Sequence, residues 1–202
     1  GGNDPLVVVD NTFATPFNQR PLAFGAHLVL HSLTKYLSGG HGTHFGGVVA
    51  GTKKYIDMIY PRLMLASMDP GVAWQLSEHV IEFFDTMPIH NQNAWEIAHY
   101  LLGACGVKHV HYPGLNRHIN SDAASRQMSA LDDGIPFGGM VSFELEGTLK
   151  EASIFIKALC GRPDALVMHA VSLGNRDSLI EVPACSSDLA GGTVPENFIR
   201  LS

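Results

Sequence analysis

One stretch constrains this chain more than any other: an apolar run leads into a lysine and then a glycine loop, AHLVLHSLTKYLSGGHGTHFGG, from Ala26 to Gly47. Ala26 to Ser32, rich in Leu and Val and bounded by Gly25, has the character of a buried strand. The GGHGTHFGG segment is too rich in glycine to continue a regular element. A strand therefore ends close to Lys35. In open α/β sheets ligands gather at the carboxyl ends of strands, so Ser32, Thr34 and Lys35 stand where a ligand is met.

These residue types suit one kind of chemistry. A lysine amine attacks carbonyls when burial or a neighbouring cation lowers its pKa. Serine and threonine hydroxyls, like turn N–H groups, donate to phosphate oxygens. Amine and phosphate cradle together point to a phosphorylated aldehyde, of which pyridoxal phosphate (PLP) is the common one. Such a site also needs a carboxylate on the pyridinium nitrogen. Leu6 to Val9 reads as a second buried strand, and Asp10 stands at its end in VVVDNTFATP. The same residues also suit a solvated strand-end lysine and a turn-starting aspartate. Residue types alone leave both readings open.

Composition bounds the alternatives. A chain of 202 residues can bury a real core as one large or two small domains. The formal net charge of −6, with 46% hydrophobic and 16% charged residues, argues against nucleic-acid binding. No apolar run approaches the ~20 residues that span a bilayer. The opening GGNDP lacks the basic and apolar regions of a secretory leader. Cys105, Cys160 and Cys185 are widely spaced and show no zinc pattern. A reduced, cytoplasmic setting is expected.

Taken in order, Phe45–Gly51 is a third short strand, and Lys53–Leu65 is a helix that Pro61 should end or kink. Asp69 is placed to cap a helix with Pro70 in its first turn, its apolar face being Val72, Leu76, Val80 and Phe83. Asn91–Cys105 forms an amphipathic helix through Ala94, Ile97, Ala98, Leu101 and Leu102, with Gly106 as its C-cap. Strands are expected at 108–112 and 138–146, and a helix at 121–131. Thr148 should cap a helix carrying Ala152, Phe155, Ile156 and Leu159. Strands and helices lacking strict alternation give α+β for this half.

Other candidates have ordinary explanations. His41 and His44 lie in the loop after Lys35 with no carboxylate or thiol nearby in sequence to complete a metal site. His109 and His111 share a strand face, the common arrangement of a surface pair. Cys105 and Cys160 read as small buried hydrophobes on helix faces. The loop glycines form no dinucleotide fingerprint, because no G-x-G-x-x-G opens a helix. No metal is expected.

The wording of the segments resembles a known family. VVVDNTFATPFNQRPLAFGAHLVLHSLTKYLSGGHGTHFGGVVAG, then HNQNAWEIAHYL, VHYPGL, RQMSA, FGGMVSFELEG, AVSLGNRDSLIEVPA and FIRLS closely resemble the Cys/Met-metabolism PLP enzymes, in family order over nearly the whole chain. That family includes cystathionine synthases and lyases, methionine γ-lyase and O-acetylhomoserine sulfhydrylase. The resemblance implies fold type I of the PLP-dependent transferases, an α/β class. Residues 1–86 would be the latter part of the large PLP-binding domain and 87–202 an α+β C-terminal domain. It implies that Lys35 carries the cofactor and moves the substrate's α-proton. By the same resemblance Asp10 pairs with the pyridine nitrogen, Ser32 and Thr34 bind the phosphate, and Ser172 and Arg200 hold the substrate α-carboxylate.

The reaction implied is β- or γ-elimination or γ-replacement on a sulfur amino acid or its ester. The GHGT wording lies nearest O-acetylhomoserine sulfhydrylase or methionine γ-lyase. A homo-oligomer, a dimer of dimers, is also implied. In the family a preceding half supplies a ring-stacking tyrosine, further phosphate donors and a Tyr/Arg pair that reaches the neighbouring subunit. These are absent from this sequence, so a non-catalytic remnant or half-enzyme acting as an interaction partner is the alternative. The CSSDLAGGTVPE segment, residues 185–196, is shorter than its family counterpart.

Overall fold

The computed structural model describes residues 5–185 and 194–202. The GGNDP opening and the shortened segment after Cys185 therefore lie largely outside the described residues.

Two sheets carry the architecture. The first has the order β1-β2-β3, made of Val8–Asp10, Leu28–Ser32 and Gly47–Gly51. β1 and β2 run parallel with Asp10 opposite Leu30, and β2 and β3 are antiparallel with Ser32 opposite Gly47. The second has the order β4-β5-β8-β7-β6, from Val107–His111, Val141–Leu145, Val167–His169 (β6), Ser178–Glu181 (β7) and Phe198–Leu201 (β8). All its pairings are antiparallel except β6 with β7. The helices are α1 (Thr15–Asn18), α2 (Lys53–Leu63), α3 (Pro70–His79), α4 (Phe83–Leu101), α5 (Ser121–Gln127) and α6 (Leu149–Cys160).

Local sequence explains several of these directly. In β5, Val141, Phe143 and Leu145 are buried and share one face by the two-residue period of a strand. α6 begins with the expected cap: Thr148 accepts from the Lys150 N–H while Glu151 reaches back to the Thr148 N–H. Its Ala152 and Ile156 complete a core with Phe143, Leu145, Ile180, Val182 and Ile199. Asp69 caps α3, accepting from the N–H groups of Gly71 and Val72, with Pro70 in the first turn.

Other expectations are corrected. The Leu6–Val9 strand is not buried; Leu6, Val7 and Val8 are each close to half exposed, because β1 is an edge with a partner on one side only. α2 keeps Pro61 inside it and buries none of its residues. The apolar face from Val72 to Phe83 is split between two helices, and only Leu76 and Phe83 are buried. The helix expected from Asn91 begins at Phe83, runs through Pro88 and stops at Leu101, which leaves Cys105 exposed in the following turn. Leu102 is exposed as well. α5 ends at Gln127 rather than near Leu131. α4 is continuous across positions 86 and 87.

The longer α4 has a role in assembly. Its buried face is Phe83, Met87, Asn91, Ala94 and Ala98. Asn91 and Asn18 exchange two side-chain hydrogen bonds, 2.9 Å and 2.8 Å, and both are buried. This pair joins α1 to α4. Asn91→Ala leaves the Asn18 amide buried without a partner, which should cost about 2 kcal/mol in urea denaturation. A loss below about 0.5 kcal/mol would show that water replaces the bonds.

Candidate active site

The site forms where three distant segments meet in one core. Tyr36 and Leu37, next to Lys35, pack with Phe17, Phe83, Met87, Ala130 and Leu173. Leu173 is the neighbour of Ser172. Burying both neighbours in one cluster carries Lys35 and Ser172 to each other. Gly174 allows the approach: it has φ +71°, and a Cβ there would lie 2.7 Å from the Tyr36 backbone nitrogen.

The outcome is a direct contact. Lys35 Nζ donates to Ser172 Oγ at 2.9 Å. Burial, the nearby Arg200 charge and, in opposition, Glu181 act on the amine, and the net effect lowers its pKa below the ordinary lysine value. A lysine so placed is more readily neutral and hence nucleophilic.

Arg200 lies on β8 and forms an ion pair with Glu181 of β7. Its Nη2 also donates to the Val171 carbonyl at 2.6 Å and reaches the Ser172 carbonyl at 3.5 Å. Glu181 is buried, which raises its carboxyl pKa against the opposing pull of Arg200, His169 and Lys35. Glu181 is one residue that the sequence reading missed. Its signal was a carboxylate in the apolar strand SLIEV, where an unpaired charge is rarely tolerated.

The remaining candidates lie at the end of the first sheet, Asp10 and Ser32 as the last residues of β1 and β2 and Thr34 in the turn beyond β2. Asp10 ends β1 beside the carboxyl end of β2, and the Asn11 N–H donates to the Leu30 carbonyl at 2.9 Å. The Asp10 carboxylate accepts from the Thr12 N–H at 3.0 Å. Thr12 Oγ1 in turn accepts from the Ser32 N–H at 2.9 Å, so the two strand ends are tied together. Thr34 Oγ1 accepts from the Gly46 N–H at 3.2 Å, which leaves its own proton available to donate. The Ser32 hydroxyl bonds to no described residue. Thr15, buried at the start of α1, has φ +64°, a strained conformation for a β-branched residue.

This donor set fits a phosphorylated pyridine aldehyde. It offers a shielded amine for the carbonyl, two hydroxyl protons for phosphate oxygens and a carboxylate at the same sheet end for the ring nitrogen. A separate cavity of about 350 Å³, between α4 and the second sheet, includes Glu82, His90, Gly139 and Arg176 in its wall but none of the six candidate residues. Among the described residues no group of three or more His, Cys, Asp or Glu is placed to hold a metal ion, and no helix is long and apolar enough to cross a membrane.

Comparison with known proteins places the chain among its relatives. A family model described as Cys/Met metabolism PLP-dependent enzyme matches residues 2–197. The chain is 40% identical to a cystathionine beta-lyase of Lactococcus lactis over 187 residues, covering 90% of this chain and 45% of that one. It is 36% identical to an L-methionine gamma-lyase of Fusobacterium nucleatum, covering 98% of this chain and 50% of that one. Against a chloroplastic cystathionine gamma-synthase of Nicotiana tabacum the identity is 34%, with 98% and 36% covered. The crystal structure of metB from Corynebacterium glutamicum superposes with a TM-score of 0.85 at 34% identity, covering 98% of this chain and 50% of that one. The chain thus spans half the length, or less, of these relatives.

Proposed function

The chain belongs to the Cys/Met metabolism family of PLP-dependent enzymes, and on that premise we propose that it performs elimination or replacement at the β or γ carbon of a sulfur amino acid or its ester. Its fold is that of the type I PLP-dependent enzymes. In this reading Lys35 attaches the cofactor aldehyde, Ser32 and Thr34 donate to its phosphate, and Asp10 faces the ring nitrogen. Bound PLP supplies an electron sink for the charge left at the substrate α-carbon.

The rest of the work falls to the chain's own side chains. Arg200 pairs with the substrate α-carboxylate through donors that Glu181 does not occupy. Ser172 Oγ, within reach of Lys35 Nζ, orients the amine and contributes to the same anion site. Once the substrate amine has displaced it from the cofactor aldehyde, the free Lys35 amine, with its lowered pKa, would take the α-proton as general base. O-acetylhomoserine sulfhydrylase or methionine γ-lyase chemistry is the finer proposal, resting on the GHGT wording after the lysine. The division at 86/87 remains a proposal supported by the two separate sheets. So do a homo-oligomeric state and a cytoplasmic location, the latter supported by three free thiols.

The observation that carries the reading is the 2.9 Å contact of Lys35 with Ser172, side chains 137 positions apart. The test is to titrate the full chain with PLP, reduce with borohydride and map the peptides. Pyridoxyl mass on Lys35 supports the proposal. In a folded chain, mass on other lysines only, or on none, would support the reading of an interaction partner without catalysis.

A further inference from the structure

The turn after Lys35 is fastened a second time, by Arg176. This residue sits four positions beyond Ser172 in the loop SLGNRDSL. Its Nε donates to the Gly39 carbonyl at 3.0 Å, and its backbone N–H to the Gly40 carbonyl at 3.3 Å. Its Nη2 pairs with Glu82, the residue before α4. Glu82 Oε2 lies 3.1 Å from His41 Nε2, and the His41 ring stacks on His79 with centroids 4.0 Å apart. One guanidinium therefore joins the lysine turn, the start of α4 and the Ser172 loop.

The backbone is shaped for this contact. Gly39 and Gly40 both have positive φ, +64° and +80°. A Cβ on Gly40 would lie 2.8 Å from the Arg176 backbone nitrogen, and one on Gly39 would lie 2.9 Å from Glu82 Cβ. Glycine at these places lets Arg176 and Glu82 close over the turn. Arg176 and Glu82 are half exposed, and an isolated pair of that kind contributes little. Here the fork also binds a backbone carbonyl, and the two loops already touch through Lys35 and Ser172. The Lys35–Ser172 bond and the core shared by Tyr36, Leu37 and Leu173 already join the two loops at the start of the turn. Arg176 adds an attachment further along the same turn, at Gly39 and Gly40.

We propose that Arg176, held by Glu82, is a positioning residue that locks the Ser172 loop onto the turn after Lys35 and so sets the Lys35–Ser172 contact. The inference rests on the proposed function for its catalytic meaning, but its geometry needs no cofactor. The loss of Arg176 should let both loops move apart, expose the amine to water and return it toward ordinary lysine behaviour.

The experiment uses the full chain without PLP. Trace acetylation with acetic anhydride across a pH series, read at Lys35 by peptide mapping, gives the pH of half-maximal labelling. Hydrogen exchange gives the opening of residues 36–42. For Arg176→Ala the labelling midpoint should move upward and exchange at 36–42 should rise at least tenfold, with the strands around Phe143 unchanged. Arg176→Lys should restore part of both, and Glu82→Gln should fall between. If Arg176→Ala does not fold, Arg176→Lys and Glu82→Gln decide the matter by the same readings. Labelling and exchange within twofold of the parent in all folded variants would overturn the proposal. PLP trapped on Lys35 in the parent, together with that null result, would spare the cofactor assignment and remove only the clamp. Absence of PLP from Lys35 with a clear clamp effect would do the reverse.

Discussion

Lys35→Ala should abolish borohydride-trapped pyridoxyl mass at position 35 and slow α-proton exchange by a factor on the order of 10³–10⁴. The size follows from the two roles proposed for Lys35, attachment of the aldehyde and proton transfer at the substrate α-carbon. Other lysines are poor substitutes. Lys53 is engaged with Asp57 at 2.7 Å on the outside of α2, and Lys108 lies 4.0 Å from Glu144 on an edge strand. Neither has the serine and arginine that surround Lys35. Lys35→Arg separates the roles further, since it keeps the positive charge but neither attacks a carbonyl nor gives up its proton. It should be as inactive as the alanine variant while melting closer to the parent. Trapped adduct at another lysine with full proton exchange in Lys35→Ala would remove Lys35 from the mechanism.

The second large effect is expected at Arg200. Removing its side chain leaves the Glu181 carboxylate buried between strands without its cation. Breaking a buried ion pair from one side costs roughly 3–5 kcal/mol, and the partial exposure of Arg200 places this case near about 3 kcal/mol. The loss should depend on pH with a definite sign. In the folded chain Glu181 titrates above the ordinary carboxyl range, chiefly because it is buried, while Arg200 pulls the other way. The folded state therefore holds this proton more tightly than the unfolded chain does. Such a group favours folding at acid pH, and that contribution disappears as pH rises through its folded value. Without Arg200 the opposing pull is gone and the effect grows.

Arg200→Ala should thus be weakest near neutrality and recover part of its stability toward about pH 5, nearer the usual carboxyl range. Urea denaturation at both pH values tests this. Adding Glu181→Gln should return much of the loss at neutral pH, because no charge is then buried alone. A pH-independent loss, unrelieved by the second substitution, would show that Arg200 matters for packing and not as the partner of Glu181. Loss of substrate binding is expected in either variant, since the anion site would be gone or displaced.

Much of this molecule is legible in its sequence, and the legible parts share a cause. Strand β2, the Asp69 cap, the capping box at Thr148 and Glu151, and the alternation in β5 are decided within a few residues by backbone preference and periodicity. So is the placing of Lys35 and Ser32 at a strand end. The family wording identifies the cofactor chemistry because a phosphate cradle and an attached lysine need fixed residue types close together. The exposure of Leu6 to Val8, the start of α4 at Phe83 and the bare surface of α2 were not legible. Each depends on which neighbours cover a face, and the apolar pattern alone does not name them.

The sequence by itself determined the family with its cofactor chemistry, and the sheet end near which Asp10, Ser32 and Lys35 stand. Only the tertiary structure decided what surrounds that lysine. Ser172, Glu181, Arg200 and Arg176 come from strands and loops more than a hundred residues away, drawn in by the shared core of Tyr36, Leu37, Phe83 and Leu173. Their placement around Lys35 and its turn depends on three-dimensional packing, on a glycine at 174 that lets two backbones meet, and on the burial of a carboxylate paired with an arginine from the neighbouring strand.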